Sequence, residues 1–413
     1  MRKVKIIGCG MTKFGRHMDR NLKSLVKEAV TDALNDADIT KEHLNGAWVG
    51  NVGQGCLEGQ YAIRGQAVLR NMGIGGIPII NVENACSSSA FALNGAWAQV
   101  ALGEMDVALV VGMEKMYFAD RSKVLPVFTG CMDVEEVKLF LENFAKQKAE
   151  HEKTQTSEAT STQKSGTPTI FMDVYASAAM MHMEKYGTTQ RQFAAVASKN
   201  HYHSTMNPKA QYQDSYTIDE VLASPVVSGP MTRLMCSPIG DGAAAVIICS
   251  EDFAKKNGVS KSVELSACCV ASGQERKEGE EPTMTKLAKK AYERAGIGPE
   301  DVDLAEVHDA TALGEIVAIE DLLLCPVGEG GPFTEAGHTT LGGKIPVNVS
   351  GGLECQGHPI GATGARQVVE LYMHLTGAAG ERQVEGAKIG IAENAGGTVS
   401  NTEAALAVTI LKA

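Results

Sequence analysis

Ala29-Val-Thr-Asp-Ala-Leu-Asn-Asp-Ala-Asp-Ile-Thr-Lys-Glu-His-Leu-Asn-Gly-Ala-Trp-Val49 reads as the end of an amphipathic helix, a turn and a strand, and the chain uses this design twice. Apolar residues at Leu22, Leu25, Val26, Ala29, Val30, Ala33 and Leu34 follow the helical period. The segment Met284–Val307 repeats it: Ala33 matches Ala291, Ala37 matches Ala295, Ile39 matches Ile297, Glu42 matches Glu300 and Val49 matches Val307, each at an offset of 258 residues. Downstream, Asn81-Val82 and the helix-like stretch after Cys86 have counterparts in Asn348-Val349 and the stretch after Gly361. The strand pattern Asp106–Gly112 has one in Ala387–Ala392. Two amphipathic helices often look alike by chance, whereas three matched elements in the same order seldom do. The sequence therefore predicts an α/β protein of two similar units packed as one body.

An insertion interrupts the repeat. The pattern predicts a first half over residues 1–119 and 236–258, a second half over 259–413, and an inserted loop domain over 120–235. Within the insertion, Gln147–Gly166 is polar and poor in aliphatics, which predicts a mobile excursion. Helical patterns return in Phe171–Tyr186 and Thr189–His203. Helices inserted between matched halves usually shape a binding site above them.

The totals exclude several classes. Lysine and arginine number 38 against 49 acidic residues, a net charge of −11, which argues against a general nucleic-acid binder while leaving room for a small anionic ligand. No apolar run approaches the roughly 18 residues of a membrane span. The opening Met1-Arg-Lys-Val-Lys-Ile-Ile-Gly8 turns into a strand without a signal-peptide core, so a cytoplasmic location is expected. Ten cysteines include no Cys-x-x-Cys pair, so reduced thiols and no zinc site within the chain are expected.

One cysteine stands out by position. In Pro78-Ile-Ile-Asn-Val-Glu-Asn-Ala-Cys86-Ser-Ser-Ser-Ala-Phe91 the thiol lies where a strand ends and a helix begins. Backbone N–H groups at a helix start favour a thiolate, the nucleophilic form. Position alone does not separate a nucleophile from a packing cysteine. Two histidines occupy similar joints in the other half: His308 in Glu306-Val-His-Asp-Ala-Thr-Ala-Leu-Gly-Glu315, and His358 in Ser350-Gly-Gly-Leu-Glu-Cys-Gln-Gly-His-Pro-Ile-Gly-Ala-Thr-Gly364. Strand ends are where open α/β sheets bind ligands. A last joint is expected where strand Ile389–Glu393 runs into Asn394-Ala-Gly396-Gly397, whose bare N–H groups suit a developing oxyanion.

With these motifs the chain resembles the thiolases, in particular the branch similar to the thiolase domain of sterol carrier protein. The likeness runs nearly end to end, through the cysteine joint, Asp241-Gly-Ala-Ala-Ala245, the His308 segment and the Gly-His-Pro-x-Gly-x-x-Gly pattern at His358. It implies a duplicated fold, two mixed-sheet halves in a five-layer α-β-α-β-α arrangement with an inserted loop domain. It implies that Cys86 is acylated, that His358 is its base, and that His308 helps hold an oxygen in one oxyanion hole. The backbone N–H groups of Cys86 and Gly396 would form the other. The implied reaction cleaves or forms a β-ketoacyl-CoA, with coenzyme A as co-substrate and no permanently bound cofactor or metal. Residues that contact coenzyme A are not assigned. A homodimer core is implied, and a small partner with a zinc ribbon and an OB-like domain is expected from related two-protein complexes.

The chain departs from the family at its second cysteine. The two positions that usually carry it are Asn394 and Ala310 here, and neither side chain moves a proton at neutral pH. Cys355 or His308 could substitute, or the expelled fragment could need little assistance. This points to an unusual substrate, such as benzoylsuccinyl-CoA. A decarboxylating ketoacyl synthase, a retro-aldolase of CoA esters and a non-catalytic acyl-CoA-binding scaffold are the alternatives.

Overall fold

In the computed structural model, which describes residues 1–139, 142, 170–277, 279–400 and 402–413, the chain opens on strand β1 (Val4–Met11) and returns over it as helix α1 (Leu22–Asp36). The Asn21 side chain accepts the Ser24 N–H and starts this helix. Its buried face is Leu22, Leu25, Val26, Ala29, Val30 and Ala33, the predicted stripe without Leu34, which is only half-buried. Glycine makes the contact possible: a Cβ at Gly8 would lie 2.4 Å from the Ala33 carbonyl oxygen, and one at Gly10 2.2 Å from that of Ala29. The first unit continues with β2 (Gly46–Gly50), β3 (Ile79–Val82), α2 (Ser88–Leu102) and β4 (Val107–Glu114). The inserted helices α3 (Ile170–Tyr186) and α4 (Gln190–Thr205) follow, with a small ribbon of β5 (Val226–Ser228) and β6 (Met231–Thr232), before β7 (Gly242–Ser250) closes the unit.

The second unit repeats the first except for β3, whose expected counterpart at Asn348-Val349 is no strand and is reduced to the single bridge Ala305↔Val347: β8 (Val263–Ser272), α5 (Thr283–Ala295), β9 (Leu304–Glu306), α6 (Ala312–Asp321), α7 (Thr363–Leu375), β10 (Ile389–Val399) and β11 (Thr402–Lys412). The offset of 258 holds in detail, since the 3-10 turn Lys41–His43 matches Pro299–Asp301 and Gly46 matches Leu304 at the start of a strand. It extends to the backbone, where Asp38 (φ +51°) and Gly296 (φ +64°) both follow a helix in the left-handed region.

The strands join in one sheet of order β3-β2-β4-β7-β1-β8-β11-β10-β9, with parallel and antiparallel neighbours. The two halves meet at β1 and β8 through Lys5↔Glu264 and Ile6↔Val263. Three apolar cores separate the layers. One seats α1 on the outer face of the first half, through Leu25, Val26 and Ile247. A second seats α5 and α6 on the outer face of the second half, through Leu287, Ile319 and Val408. The third lies between the half-sheets and holds α2 and α7, with Leu93, Trp97, Val368 and Tyr372. This is the five-layer arrangement expected. α2 and α7 touch, because a Cβ at Gly364 would lie 2.7 Å from Ala90 Cβ.

The inserted helices pack on the second half, where Phe193 and Val196 of α4 share a core with Leu313 and Ile316 of α6. The polar stretch Gln147–Gly166, expected as a mobile excursion, lies outside the described residues. One expected boundary is corrected. The strand from Ile389 does not stop at Glu393 but runs to Val399, because β11 pairs with it from Ile389↔Lys412 to Val399↔Thr402. The glycines therefore lie inside a strand, where Gly397 (φ +65°) stands opposite Ala404, between the pairs Gly396↔Ala405 and Thr398↔Glu403 and without a change of register. Among the described residues no helix is long and apolar enough to cross a membrane.

Candidate active site

Cys86 lies in the bend between β3 and α2. The preceding Ala85 holds φ +47°, a left-handed conformation that only glycine adopts freely, and the turn closes with Ser87 N–H to Asn84 O and Ser88 N–H to Ala85 O. Ser87 then reaches into the second half, its hydroxyl placed 2.9 Å from Asn394 O and 3.2 Å from Ala405 O. Gly396 lies directly against the bend, because a Cβ there would be 2.5 Å from Asn84 O and 3.0 Å from Cys86 N. The nucleophile candidate thus belongs to one half and is braced by the other.

His308 follows β9, and its backbone N–H donates to Glu393 Oε2 at 2.9 Å. The adjacent Asp309 accepts the N–H of Leu353 at 2.7 Å, which ties this segment to the loop that carries His358. His358 is set after Gly357 (φ +102°), and its N–H donates to Pro238 O. Its Nδ1 lies 2.9 Å from Thr363 Oγ1, and that hydroxyl is 3.5 Å from Pro359 O. If the threonine proton points to the carbonyl, Nδ1 carries the hydrogen and Nε2 is left as the basic nitrogen. The His308 and His358 rings are 5.3 Å apart between centroids. The Cys86 sulfur and one nitrogen of each ring all lie within 4.8 Å of one another. All three predicted side chains therefore meet, each from a different segment.

Burial sets the protonation of this cluster. It pushes the Cys86 thiol up to about 12, against the pull of the Gly397 and Cys86 backbone N–H groups on the sulfur. The expectation of a thiolate favoured by the helix start is corrected here: at 5% exposure desolvation outweighs those dipoles, and the resting sulfur is a thiol. Burial also pushes His308 down to about 3 and His358 well below its ordinary value, with the nearby Arg366 guanidinium adding to both. Both imidazoles are neutral at pH 7. Among the described residues His308 Nε2 and both polar atoms of the Asn394 side chain have no protein hydrogen-bond partner, although all three are buried. Such atoms are costly to leave unpaired, and they are the groups available to a substrate oxygen.

Two cavities meet at Cys86. One of about 220 Å³ runs between α3, α6 and β10, and its wall includes Tyr175, His308, Leu313, Glu393 and Gly396. The other, about 150 Å³, is lined by Phe128, Met172, Pro238, Ala310 and His358. Ala310 therefore faces the site without a proton to give. Cys355 does not reach it: the residue is fully buried, with its carbonyl accepting the Tyr212 N–H, and is a packing cysteine.

Gly397, in the expected glycine stretch and next to Gly396, sends an N–H to the Cys86 sulfur. The site also uses residues that the sequence did not single out. Glu114 at the end of β4 accepts the N–H groups of Val52, Gly53 and Gly361, joining the first half to the His358 loop, and burial lifts its carboxyl to about 7. Glu393 interrupts the otherwise apolar start of β10, a charge inside a buried strand that was a readable signal.

Comparison with known proteins agrees with this architecture. The family described as "Thiolase, N-terminal domain" matches residues 4–252, and "Thiolase C-terminal domain-like" matches 271–411. Sterol carrier protein 2 of Rattus norvegicus is 37% identical over 95% of this chain and 70% of its own length. An acetyl-CoA acetyltransferase of Methanothermobacter thermautotrophicus is 37% identical over 96% of this chain and 97% of its own. Benzoylsuccinyl-CoA thiolase subunit BbsB of Thauera aromatica is 35% identical over 93% and 92%. Among solved structures, an Ltp2-ChsH2(DUF35) aldolase superposes with a TM-score of 0.77 at 22% identity, covering 100% of this chain and 98% of that one. Human mitochondrial 3-ketoacyl-CoA thiolase gives 0.71 at 17% identity, with 100% and 99% covered.

Proposed function

From the premise that this chain belongs to the thiolase family and is an acyltransferase, we propose that it cleaves or forms β-ketoacyl-CoA through an acyl group carried on Cys86. The observation that carries the reading is the sulfur and two imidazole nitrogens within 4.8 Å, at the meeting of two cavities. In this scheme His358 takes the thiol proton as the sulfur attacks the ketone, which a thiol held near 12 requires. The N–H groups around the bend, from Cys86 and from Gly396 or Gly397, face the oxygen that gains charge, and neutral His308 takes part in the second hole. The carbon–carbon bond then breaks to leave a thioester enolate, and coenzyme A removes the acyl group.

The test is incubation with a panel of 3-ketoacyl-CoAs and coenzyme A, with product analysis and intact mass. Chain shortening, with an adduct mapped to Cys86 and abolished in Cys86→Ala, is the expected result. Turnover retained in that variant would replace the reading with a retro-aldolase, and malonyl thioester turnover with a ketoacyl synthase. No adduct and no turnover would leave an acyl-CoA-binding scaffold.

Benzoylsuccinyl-CoA enters the panel because one relative is named for it. That relative is called a subunit, and the superposed aldolase is titled with a DUF35 protein, so we also propose that a small partner subunit assists this chain, itself a homodimer. Full activity of the purified chain alone would remove the partner, and light scattering tests the dimer.

A further inference from the structure

Cleavage through an acyl-cysteine moves two protons. One leaves Cys86 as it attacks and returns when coenzyme A displaces the acyl group. The other must reach the enolate carbon, and a proton must later leave the thiol of coenzyme A. His358 is placed for the first exchange. The usual positions for a second carrier hold Asn394 and Ala310, Cys355 is walled off, and His308 is engaged at the second oxyanion hole in the scheme above.

Among the described acids in the wall of the larger cavity, which Cys86, His308 and Gly396 also line, Glu393 is the one hydrogen-bonded to the His308 segment. It is 3% exposed. Its Oε2 accepts the His308 N–H at 2.9 Å, which fixes the carboxyl beside the residue that carries the imidazole. Apolar Leu313, Val317 and Ala395 form the neighbouring wall, and among the described residues no lysine, arginine or histidine forms an ion pair with it. Two further acids, Asp321 and Glu403, line the same cavity.

We propose that Glu393 is the second proton carrier of this site. As the neutral acid it gives its proton to the α-carbon of the enolate, where the electron pair of the broken carbon–carbon bond becomes the new carbon–hydrogen bond. As the carboxylate it takes the thiol proton of the incoming coenzyme A. The coenzyme A sulfur then forms the new thioester, Cys86 departs with its electron pair, and His358 returns the first proton to it. Burial first, with repulsion from Asp321 and Glu403 adding to it, lifts this carboxyl to about 8, so the resting group holds the proton the step needs.

The inference rests on the acyl-Cys86 reading, and the test separates the two. The full chain is compared with Glu393→Gln and Glu393→Asp. Glutamine keeps an oxygen to accept the His308 N–H but carries no titrating proton. Acylation of Cys86 by a p-nitrophenyl ester, whose leaving group needs no acid, reports on Cys86 and His358 alone. Exchange of acyl-CoA α-hydrogens with deuterated water reports on the second carrier. Glu393→Gln is expected to be acylated within about threefold of the parent, while exchange and 3-ketoacyl-CoA cleavage fall about 10²- to 10⁴-fold. Glu393→Asp restores part of both. The parent loses cleavage above pH 8, and the glutamine variant lacks that limb. Exchange kept within threefold in an acylated Glu393→Gln overturns the proposal and leaves His358 to carry both protons. Loss of ester acylation in both variants also overturns it, because Glu393 is then structural. A parent chain never acylated at Cys86 defeats the underlying reading instead.

Discussion

Cys86 combines near-complete burial with a thiol held near 12, so its reactivity depends on the neighbouring imidazole rather than on a preformed thiolate. Alkylation by a small haloacetamide is therefore expected to rise about tenfold per pH unit from 7 to 10, following the thiolate fraction. A plateau below pH 8 would show a resting thiolate–imidazolium pair and refute this. Replacing His358 with asparagine is expected to cut cleavage about 10²- to 10⁴-fold, with the protein still folded by circular dichroism. Glu393 has its own signature in stability. Its folded carboxyl, near 8, lies above the ordinary 4.5, so its contribution is fully present below 4.5 and is lost as pH rises through 8. Glu393→Gln should consequently gain melting temperature over the parent at pH 9 and gain less at pH 6. Cys86 and His308 were legible because each stands at a strand–helix joint, and His358 because of its glycine-framed motif, although the structure sets it after the short helix Gly352–Gln356 and not after a strand. Their protonation was not, because desolvation depends on what packs around the joint, and sequence adjacency does not contain that.

Strand β10 illustrates what a local reading misses among the elements. Its glycines looked like the end of a strand, yet pairing with β11 carries it six residues further, to Val399. Tertiary pairing overrode a local breaker signal. The same strand explains a sharp expectation for Gly396→Ala. The added carbon would lie 2.5 Å from Asn84 O and 2.6 Å from Ser87 N, both main-chain atoms that cannot rotate away. The Cys86 bend must shift, and acylation is expected to fall at least about 10²-fold, the scale of losing one oxyanion donor. Unchanged acylation kinetics in this variant would disprove the close seating of the bend on β10. Helix α1, in contrast, was almost fully legible, because its buried stripe is set by its own period.

For the whole molecule, the duplication was readable from the offset of 258 that the first helix, turn and strand of each half share, and that survives in the turn geometry after each first helix. The joining of the halves was not, because the two β1–β8 pairs leave no trace in either strand's composition. The central core draws Trp48, Leu93 and Trp97 from the first half and Val368, Leu371 and Tyr372 from the second. Residues 1–258 expressed alone would present that apolar face to water and are expected to aggregate, while the full chain unfolds in one calorimetric transition. Two resolved transitions would mean that the halves are independent.

The Ser87 hydroxyl, spanning carbonyls of Asn394 and Ala405, gives that union a practical meaning. A clasp of this kind makes the reaction centre a gauge of closure between the twins. Slight parting would draw sulfur away from imidazole while each twin kept its own strands, so gentle warming or dilute urea should silence turnover before spectroscopy registers any melting.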